Sequence, residues 1–340
     1  ELSLKTQPDY ETKSTYSISV VSTDAGGKSY SKSFDINISD ANDAPSITSN
    51  SITFSKQDSA YSYTFKANDV DSGDTITYGA SKLPSWLSIN PSTGVLSGIP
   101  TNSNVGTHSV VLTATDSSGA VDTQSFTITV ANVNDTPTVT STAITVSTED
   151  SAYSYTFKAN DVDSGDSVTY TAPTLPSWLS FNSTTGILSG TPKNANVGSH
   201  SVVLKATDSN GAVSTQSFTI TVSNVNDTPT VTSTAVTSST EDSAYSYTFK
   251  ASDVDSGDTI TYGATTLPSW LSIKSSTGVL SGTPTNSSVG ANSVVLTATD
   301  SSGAVDTQSF MITVSNVNDT PTVTSTAVTS STEDSAYSYT

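Results

Sequence analysis

The stretch DSAYSYTFKANDVDSGD, residues 58–74, decides the fold. In its first half, apolar side chains alternate with polar ones at Tyr61, Tyr63, Phe65 and Ala67. A period of two is typical of a β-strand that buries one face. The second half, DVDSGD, combines turn-forming residues with three carboxylates. The stretch therefore predicts a half-buried strand that leads into an acidic turn.

The same stretch begins again at Asp150 and Asp242, so the chain repeats every 92 residues. Repetition at a fixed period indicates an array of similar structural units, which we call modules. Two further motifs share the period: PSWLS, with Trp86, Trp178 and Trp270, and NDxP, with Pro45, Pro137, Pro229 and Pro321. The predicted divisions are the C-terminal half of a related module at 1–44, complete modules at 45–136, 137–228 and 229–320, and the start of a further module at 321–340.

Other segments of the first module have the same period of two, as in Val110, Leu112 and Ala114. Clusters of Gly, Pro, Asn and Asp interrupt the chain every 8–12 residues or so, which favours short antiparallel strands. The sequence therefore predicts an all-β protein made of tandem antiparallel β-sandwich modules. Joined through short Asn-Asp-x-Pro linkers, such modules would form a rod.

The composition excludes several classes of function. The 340 residues carry 31 acidic and only 12 basic side chains, all of them lysine, for a net charge of −19. Such a chain lacks the clustered Lys and Arg that nucleic acids and anionic lipid surfaces require. There is no cysteine, and no apolar run approaches the length of a membrane-spanning helix. The chain starts at Glu1 without a methionine or a signal-like segment, so we expect it to be part of a longer protein.

The acidic residues recur at the module ends. Each module has Asp-x-Asp after an early strand, one aspartate after a later strand, and Asn-Asp in the linker. We name the linkers joint 43, joint 135, joint 227 and joint 319 after their aspartates. Carboxylates gathered without lysine partners repel one another, and oxygen donors of this kind select Ca²⁺ over Mg²⁺. The candidate ligands are Asn42, Asp43, Asp69, Asp71, Asp116, Asn134, Asp135, Asp161, Asp163, Asp208, Asn226, Asp227, Asp253, Asp255, Asp300, Asn318 and Asp319.

These motifs resemble those of cadherins. The cadherin joint motif Asp-x-Asn-Asp matches residues 40–43, and its Asp-x-Asp matches residues 69–71. Residues 1–44 resemble an ordinary cadherin repeat, and this resemblance implies that Asp9, Glu11 and Asp24 also bind calcium. The complete modules are more similar to the dystroglycan-type cadherin-like, or putative-immunoglobulin, repeats of large bacterial surface adhesins. By resemblance, the fold is a tandem immunoglobulin/cadherin-like array, and Glu149 and Glu241 supply the amino-terminal glutamate of the calcium site.

The later joints depart from the cadherin pattern. The Asp-x-Glu pair becomes Thr101 and Ser103, then Lys193 and Ala195, then Thr285 and Ser287. The first module also has Gln57 where the resemblance expects glutamate. A protonated lysine cannot ligate calcium. We therefore expect up to three ions at joint 43 and one or two at each later joint.

Less specific interpretations also fit some of these residues. The aspartates, Asp74 and Asp122 among them, are good turn formers. The three tryptophans could stack on sugars, although PSWLS in a strand context favours a core position. His108 and His200 correspond to Asn292 in the third module, which argues against a required catalytic or metal role. We expect no enzyme activity, because every acidic cluster recurs at a linker and no unique cleft or catalytic triad is indicated.

The function that the sequence predicts is mechanical. We expect a calcium-stiffened spacer in a bacterial extracellular adhesin or biofilm matrix protein, located at the cell surface. Its expected partners are neighbouring modules of the same chain, with no nucleic acid and no membrane insertion. Two alternatives remain open: a filament or sheath subunit with homotypic lateral contacts, and a polysaccharide-binding array of a secreted protein.

Overall fold

In the computed structural model, which describes residues 5–339, the chain is all-β. The described residues contain 29 strands and three single-turn 3-10 helices, Asn102–Asn104, Asn194–Asn196 and Asn286–Ser288. None of these helical turns is long and apolar enough to cross a membrane. The predicted fold class is confirmed.

The described residues form two compact units. The first extends to Thr140 and also includes 158–170 and 205–215, and the second comprises 141–157, 171–204 and the chain from Gln216 onward. The boundary passes through the second module. The first and third modules each lie within one unit, so the architecture is described from them.

Residues before joint 43 form a two-stranded antiparallel hairpin. It consists of β1 (Thr15–Thr23) and β2 (Ser29–Asn37), paired from Thr15 opposite Asn37 to Thr23 opposite Ser29. Most of its side chains are exposed.

The first module is a two-layered sandwich. One layer has the strand order β4-β11-β10-β7, and the other contains β5-β9-β8, with a short β3-β6 pair beside them. The strands are β3 (Ser46–Ile47), β4 (Phe54–Lys56), β5 (Tyr61–Thr64), β6 (Ala67–Asn68), β7 (Thr77–Lys82), β8 (Leu87–Ile89), β9 (Val95–Gly98), β10 (Gly106–Thr115) and β11 (Val121–Ala131).

The later modules repeat these elements. The second module contains β12 (Thr138–Val139), β13 (Val146–Thr148), β14 (Tyr153–Thr156), β15 (Ala159–Asn160), β16 (Thr169–Thr174), β17 (Leu179–Asn182), β18 (Ile187–Gly190), β19 (Gly198–Thr207) and β20 (Val213–Ser223). The third contains β21 (Thr230–Val231), β22 (Ser238–Thr240), β23 (Tyr245–Thr248), β24 (Ala251–Ser252), β25 (Thr261–Thr266), β26 (Leu271–Lys274), β27 (Val279–Gly282), β28 (Gly290–Thr299) and β29 (Val305–Ser315). Its sheets have the orders β22-β29-β28-β25, β23-β27-β26 and β21-β24.

One strand pair differs from the predicted antiparallel arrangement. Strand β4 pairs in parallel with β11, with Phe54 beside Thr129 and Lys56 beside Ala131. The chain first pairs through β3 with β6, and β4 then joins the edge of the four-stranded sheet. This change of sheet brings an early segment of the module alongside its last strand, running in the same direction. Strands β22 and β29 repeat the arrangement.

The alternating residues of the opening stretch form the core. Tyr61, Tyr63 and Phe65 are 4%, 4% and 0% exposed, as the period of two predicts. The tyrosine hydroxyls are hydrogen-bonded: Tyr61 donates to the Ile52 carbonyl at 2.7 Å, and Tyr63 donates to Gln124 Oε1 at 2.7 Å. Buried hydroxyls with partners avoid the desolvation cost of an unmade bond.

The tryptophans pack against this core. Trp86 lies edge-on to Tyr61, with ring centroids 5.8 Å apart, and its indole nitrogen is buried. Trp270 packs in the same way on Tyr245, and its indole N–H donates to Asn292 Oδ1 at 3.2 Å. The rings therefore serve as partly buried packing groups.

Replacing Phe65 with alanine should selectively destabilise the first module. Removal of a fully buried phenylalanine costs about 3–5 kcal/mol, whereas Phe54→Ala, at a side chain that is 54% exposed, should cost less than about 1 kcal/mol. Hydrogen exchange followed by mass spectrometry on the full chain would resolve the modules. Equal loss of protection in the two variants would contradict the packing described.

Candidate metal centres at the module joints

The strand ends bring the acidic residues of each module together. Asp69 and Asp71 follow β6, whereas Asp116 follows β10 and lies beside them. Five groups of three carboxylates place one oxygen from each residue within 4.8 Å of the others. They are Glu11/Asp40/Asp71, Asp69/Asp74/Asp116, Glu149/Asp227/Asp255, Asp161/Asp163/Asp166 and Asp253/Asp255/Asp258.

At joint 43 the linker is hydrogen-bonded to these carboxylates. Asn42 Nδ2 donates to Asp116 Oδ2 at 2.9 Å, and the Asp43 N–H donates to Asp71 Oδ2 at 2.8 Å. The Asp71 N–H in turn donates to Asp69 Oδ1 at 2.9 Å. The linker and the two acidic turns thus form one hydrogen-bonded set.

The same bonds recur at the next two joints. Asn134 donates to Asp208, and Asn226 donates to Asp300, each at 2.8 Å. The Asp135 N–H donates to Asp163 at 2.8 Å, and the Asp227 N–H donates to Asp255 at 2.7 Å. The repeated sequence therefore builds the same polar arrangement at three places.

Several carboxylate oxygens at the module ends are buried and accept no hydrogen bond. They are Asp69 Oδ2, Asp71 Oδ1, Asp74 Oδ2, Asp161 Oδ2, Asp253 Oδ2, Asp258 Oδ2 and Glu241 Oε1. Buried polar atoms are almost always partnered, and charged ones are costly when they are not. A cluster of such oxygens fits a hard cation that takes six to eight oxygen ligands. The residues present therefore fit calcium.

One lysine lies near these clusters. Lys193 Nζ pairs with Asp150 Oδ1 at 2.7 Å, and both side chains are more than half exposed. The Asp150 carboxylate raises the pKa of Lys193 by hydrogen bonding and by its charge, and Glu149 and Asp227 contribute further. This ammonium is therefore close enough to Glu149 and Asp227 of joint 227 to feel their charge.

The hydrogen bonds set the protonation of the module aspartates. The Asn42 amide is the largest cause that lowers the pKa of Asp116, and the Asp116 carboxylate also accepts backbone N–H bonds from residues 118–120. Asp208 and Asp300 have lowered pKa values for the same reason. At joint 43 a backbone hydrogen bond lowers the pKa of Glu11, but desolvation and Asp40 together raise it above its ordinary value.

Some candidate ligands lie outside the clusters. Asp9 accepts bonds from the N–H and hydroxyl of Thr12, which lower its pKa, and Asp24 accepts N–H bonds from Gly26 and Lys28. Both carboxylates thus stabilise turns. At joint 319, Asp319 accepts a bond from Asn286 at 2.8 Å, and Asn318 donates only to the Asp319 carbonyl.

Two sets of residues at the joints are not among the ligands predicted from the sequence. Asp74, Asp166 and Asp258 look like ordinary turn residues, yet each joins a carboxylate group, as does Asp40. The second set consists of amide donors that reach the joint aspartates, namely Gln57, Asn102, Asn194 and Asn286. The period of 92 marks Asp74 and its copies as repeated, but no spacing rule links Asn102 to Asp135.

Tandem β-sandwich modules with acidic joints define a class of immunoglobulin- and cadherin-like repeat proteins. Residues 44–131, 136–223 and 228–315 each match the family model described as "Putative Ig domain". The chain therefore belongs to this family. No match to a curated protein sequence was found.

Solved cadherin structures share the fold. The extracellular cadherin domains 1–5 of protocadherin gamma B2 align with a TM-score of 0.60 and 21% identity, covering 92% of this chain and 68% of that one. The extracellular domain of protocadherin gamma B4 aligns with a TM-score of 0.55 and 21% identity, covering 91% and 56%. Domains 3–6 of protocadherin gamma B7 align with a TM-score of 0.53 and 21% identity, covering 90% of this chain and 86% of that one.

Replacing Asn42 with alanine should raise the pKa of Asp116, because the amide hydrogen bond is the main cause of its lowered value. Since the lowered pKa belongs to the folded state, this bond stabilises the fold above the ordinary aspartate pKa, and the stabilisation is lost as pH falls through the lowered value. A carboxyl-detected NMR titration in EGTA would measure the change. Asp300, whose partner is Asn226, serves as the internal control and should not move. An unchanged Asp116 midpoint would contradict the assignment.

Proposed function

We propose that this chain is a calcium-stiffened spacer of a large bacterial extracellular adhesin or biofilm matrix protein. The observation that carries the proposal is the set of buried carboxylate oxygens without donors at the module ends. The repeated fold supplies length, and the ions are proposed to supply stiffness and stability.

The donor set favours calcium over magnesium. Asp69, Asp74 and Asp116 offer three carboxylates within one module, and the Asn42 amide ties the linker to Asp116 by donating to it. Calcium accepts many carboxylates in irregular geometry, whereas magnesium keeps several waters and prefers few carboxylates. When bound, the ion would supply positive charge to carboxylates that otherwise repel one another.

The ligands come from both sides of a linker, which gives the ion a mechanical role. At joint 227, Glu149 belongs to the second module and Asp255 to the third, with Asp227 between them in sequence. Residues held around one ion would restrict bending of the linker. Extracellular sites of this kind bind calcium at about 10⁻⁴–10⁻³ M, so they would be filled outside cells and empty in cytosol.

Two features favour a spacer over an enzyme or a sugar-binding array. The acidic sets repeat at every module, as a structural element would and a unique catalytic centre would not. Trp86 and Trp270, which a sugar platform would need as exposed rings, pack edge-on against core tyrosines. The likeness to cadherin ectodomains supports an extracellular location.

Calcium should bind and stabilise the full chain. At about 10 mM, ions that bind with Kd values of 10⁻⁴–10⁻³ M add roughly 1–3 kcal/mol each, which corresponds to at least about 5 °C in the melting temperature of a module of this size. Calorimetric titration and thermal melting with and without EGTA would measure both quantities.

Small-angle scattering of the same samples tests the mechanical part of the proposal, for which a longer and stiffer particle in calcium is expected. Magnesium at equal concentration is the control and should stabilise less. No calcium binding below about 10 mM would refute the proposed function. Binding without any change in scattering would refute the stiffening role.

A further inference from the structure

Joint 135 has an amide where the corresponding position of the later joints has a carboxylate. Gln57 is 2% exposed, and its Nε2 donates to Asp135 Oδ2 at 2.8 Å and to Asp58 Oδ2 at 3.1 Å. The equivalent side chains in the next two modules are Glu149 and Glu241, which are equally buried.

A second amide reaches the same aspartates. Asn102 Nδ2 donates to Asp163 Oδ1 at 2.9 Å and to Asp135 Oδ2 at 3.1 Å. The other oxygen of Asp163 accepts the Asp135 N–H at 2.8 Å. Both oxygens of Asp163, which is 5% exposed, are thus hydrogen-bonded.

Joint 43 shows the contrasting arrangement. Asp71 is the counterpart of Asp163 and accepts the Asp43 N–H through Oδ2, but its Oδ1 is buried without a donor. The preceding segment supplies the Glu11 carboxylate there, grouped with Asp40 and Asp71, instead of an amide. The same position of the fold is therefore open to a cation at joint 43 and closed by hydrogen bonds at joint 135.

Joint 227 lies between these cases. Asn194 donates to Asp255 at 2.7 Å, as Asn102 does to Asp163, but its contact with Asp227 lengthens to 3.4 Å. Both oxygens of Asp255 accept hydrogen bonds, as those of Asp163 do. The difference lies at Glu149, which replaces the glutamine and forms a three-carboxylate group with Asp227 and Asp255. This joint therefore has a third carboxylate, in place of an amide donor, that an ion could bridge to its neighbours.

We propose that the Gln57 and Asn102 amides take the place of a bridging cation at joint 135, so that hydrogen bonds hold this linker without calcium. At joint 227, by contrast, an ion bound by Glu149, Asp227 and Asp255 holds the linker. The proposal rests on the proposed function for the ion at joint 227. It concerns the ion between modules only, because Asp161 Oδ2 remains a buried oxygen without a donor inside the second module.

The chemistry of the amide explains the difference. An amide N–H₂ carries partial positive charge and satisfies carboxylates by donation, so a cation beside it would be repelled and would lack one anionic ligand. Turning either amide to present its oxygen would remove the donors that Asp135 and Asp163 now accept. Gln57 therefore selects hydrogen bonding over ion binding at this joint.

The test exchanges the two residue types in the full chain. Gln57→Glu should add one calcium ion per chain, and Glu149→Gln should remove one, as measured by equilibrium dialysis with radioactive calcium. Both changes conserve side-chain shape. Asn90→Asp, in a turn where Asn90 Oδ1 accepts two backbone N–H bonds, adds the same charge away from the joints and should leave the number of ions unchanged.

Thermal melting provides a readout that is independent of the ion count. In EGTA, Gln57→Glu should lower the melting temperature of the first two modules by about 5 °C, since a buried carboxylate then faces Asp135 in place of the amide that donates to it, and calcium should reverse the loss. Calcium binding by the unmodified chain with ion counts that neither substitution changes would overturn this inference alone. Absence of calcium binding in the unmodified chain and in Gln57→Glu would overturn it together with the proposed function.

Discussion

A carboxylate at the end of a β-sandwich is removed from water without reaching the apolar core, and it must find donors or a counter-charge there. In this chain such carboxylates recur in groups of three at the module ends, and 12 lysines are too few to balance 31 acidic residues. Three kinds of partner remain: backbone N–H groups of the tight turns, amide side chains, and a cation. The arrangement of every linker follows from how these three partners are divided among the aspartates.

The backbone contribution is constant, because it depends on the turns themselves. Asp116 accepts N–H bonds from the turn that follows it, and Asp208 and Asp300 do the same. The amide contribution varies, since Gln57 and Glu149 occupy equivalent positions with opposite effects on the neighbouring carboxylates. A substitution of one atom, nitrogen for oxygen, is therefore enough to change the chemistry of a linker while the sandwich on either side stays the same.

The sequence was sufficient for the strands and the acidic turns because both are local patterns. The period of two predicts that Tyr61, Tyr63 and Phe65 share one buried face, and the Asp-x-Asp motif predicts a turn with excess negative charge. The parallel pairing of β4 with β11 could not be predicted, since it depends on where the chain crosses between layers and not on composition. Asp74 was ambiguous for a related reason: a turn aspartate and a ligand aspartate look alike until Asp69 and Asp116 are placed beside it.

The Asn102 contacts show more clearly why part of the site could not be predicted from local sequence patterns. Asn102 meets Asp135 and Asp163 across separations of 33 and 61 residues, and nothing in the local sequence distinguishes it from the many other asparagines in turns. Only the placement of the 3-10 turn Asn102–Asn104 next to the linker selects it. The resemblance to cadherins predicts ligands at the neighbouring positions Thr101 and Ser103, where the expected carboxylates are missing.

The parallel pair β4–β11 has a consequence for how a module carries load. Because β4, an early strand of the sandwich, and β11, its last strand, lie side by side and run in the same direction, tension applied at the two ends of a module pulls them past each other. The bonds that span this pair, such as Thr129 N–H to the Thr53 carbonyl and Gln57 N–H to the Ala131 carbonyl, are then strained together in shear instead of opening one after another. Gln57 ends this strand pair through its backbone N–H and bonds the following linker through its side chain, so one residue joins the load-bearing pair of the first module to the chemistry of its linker.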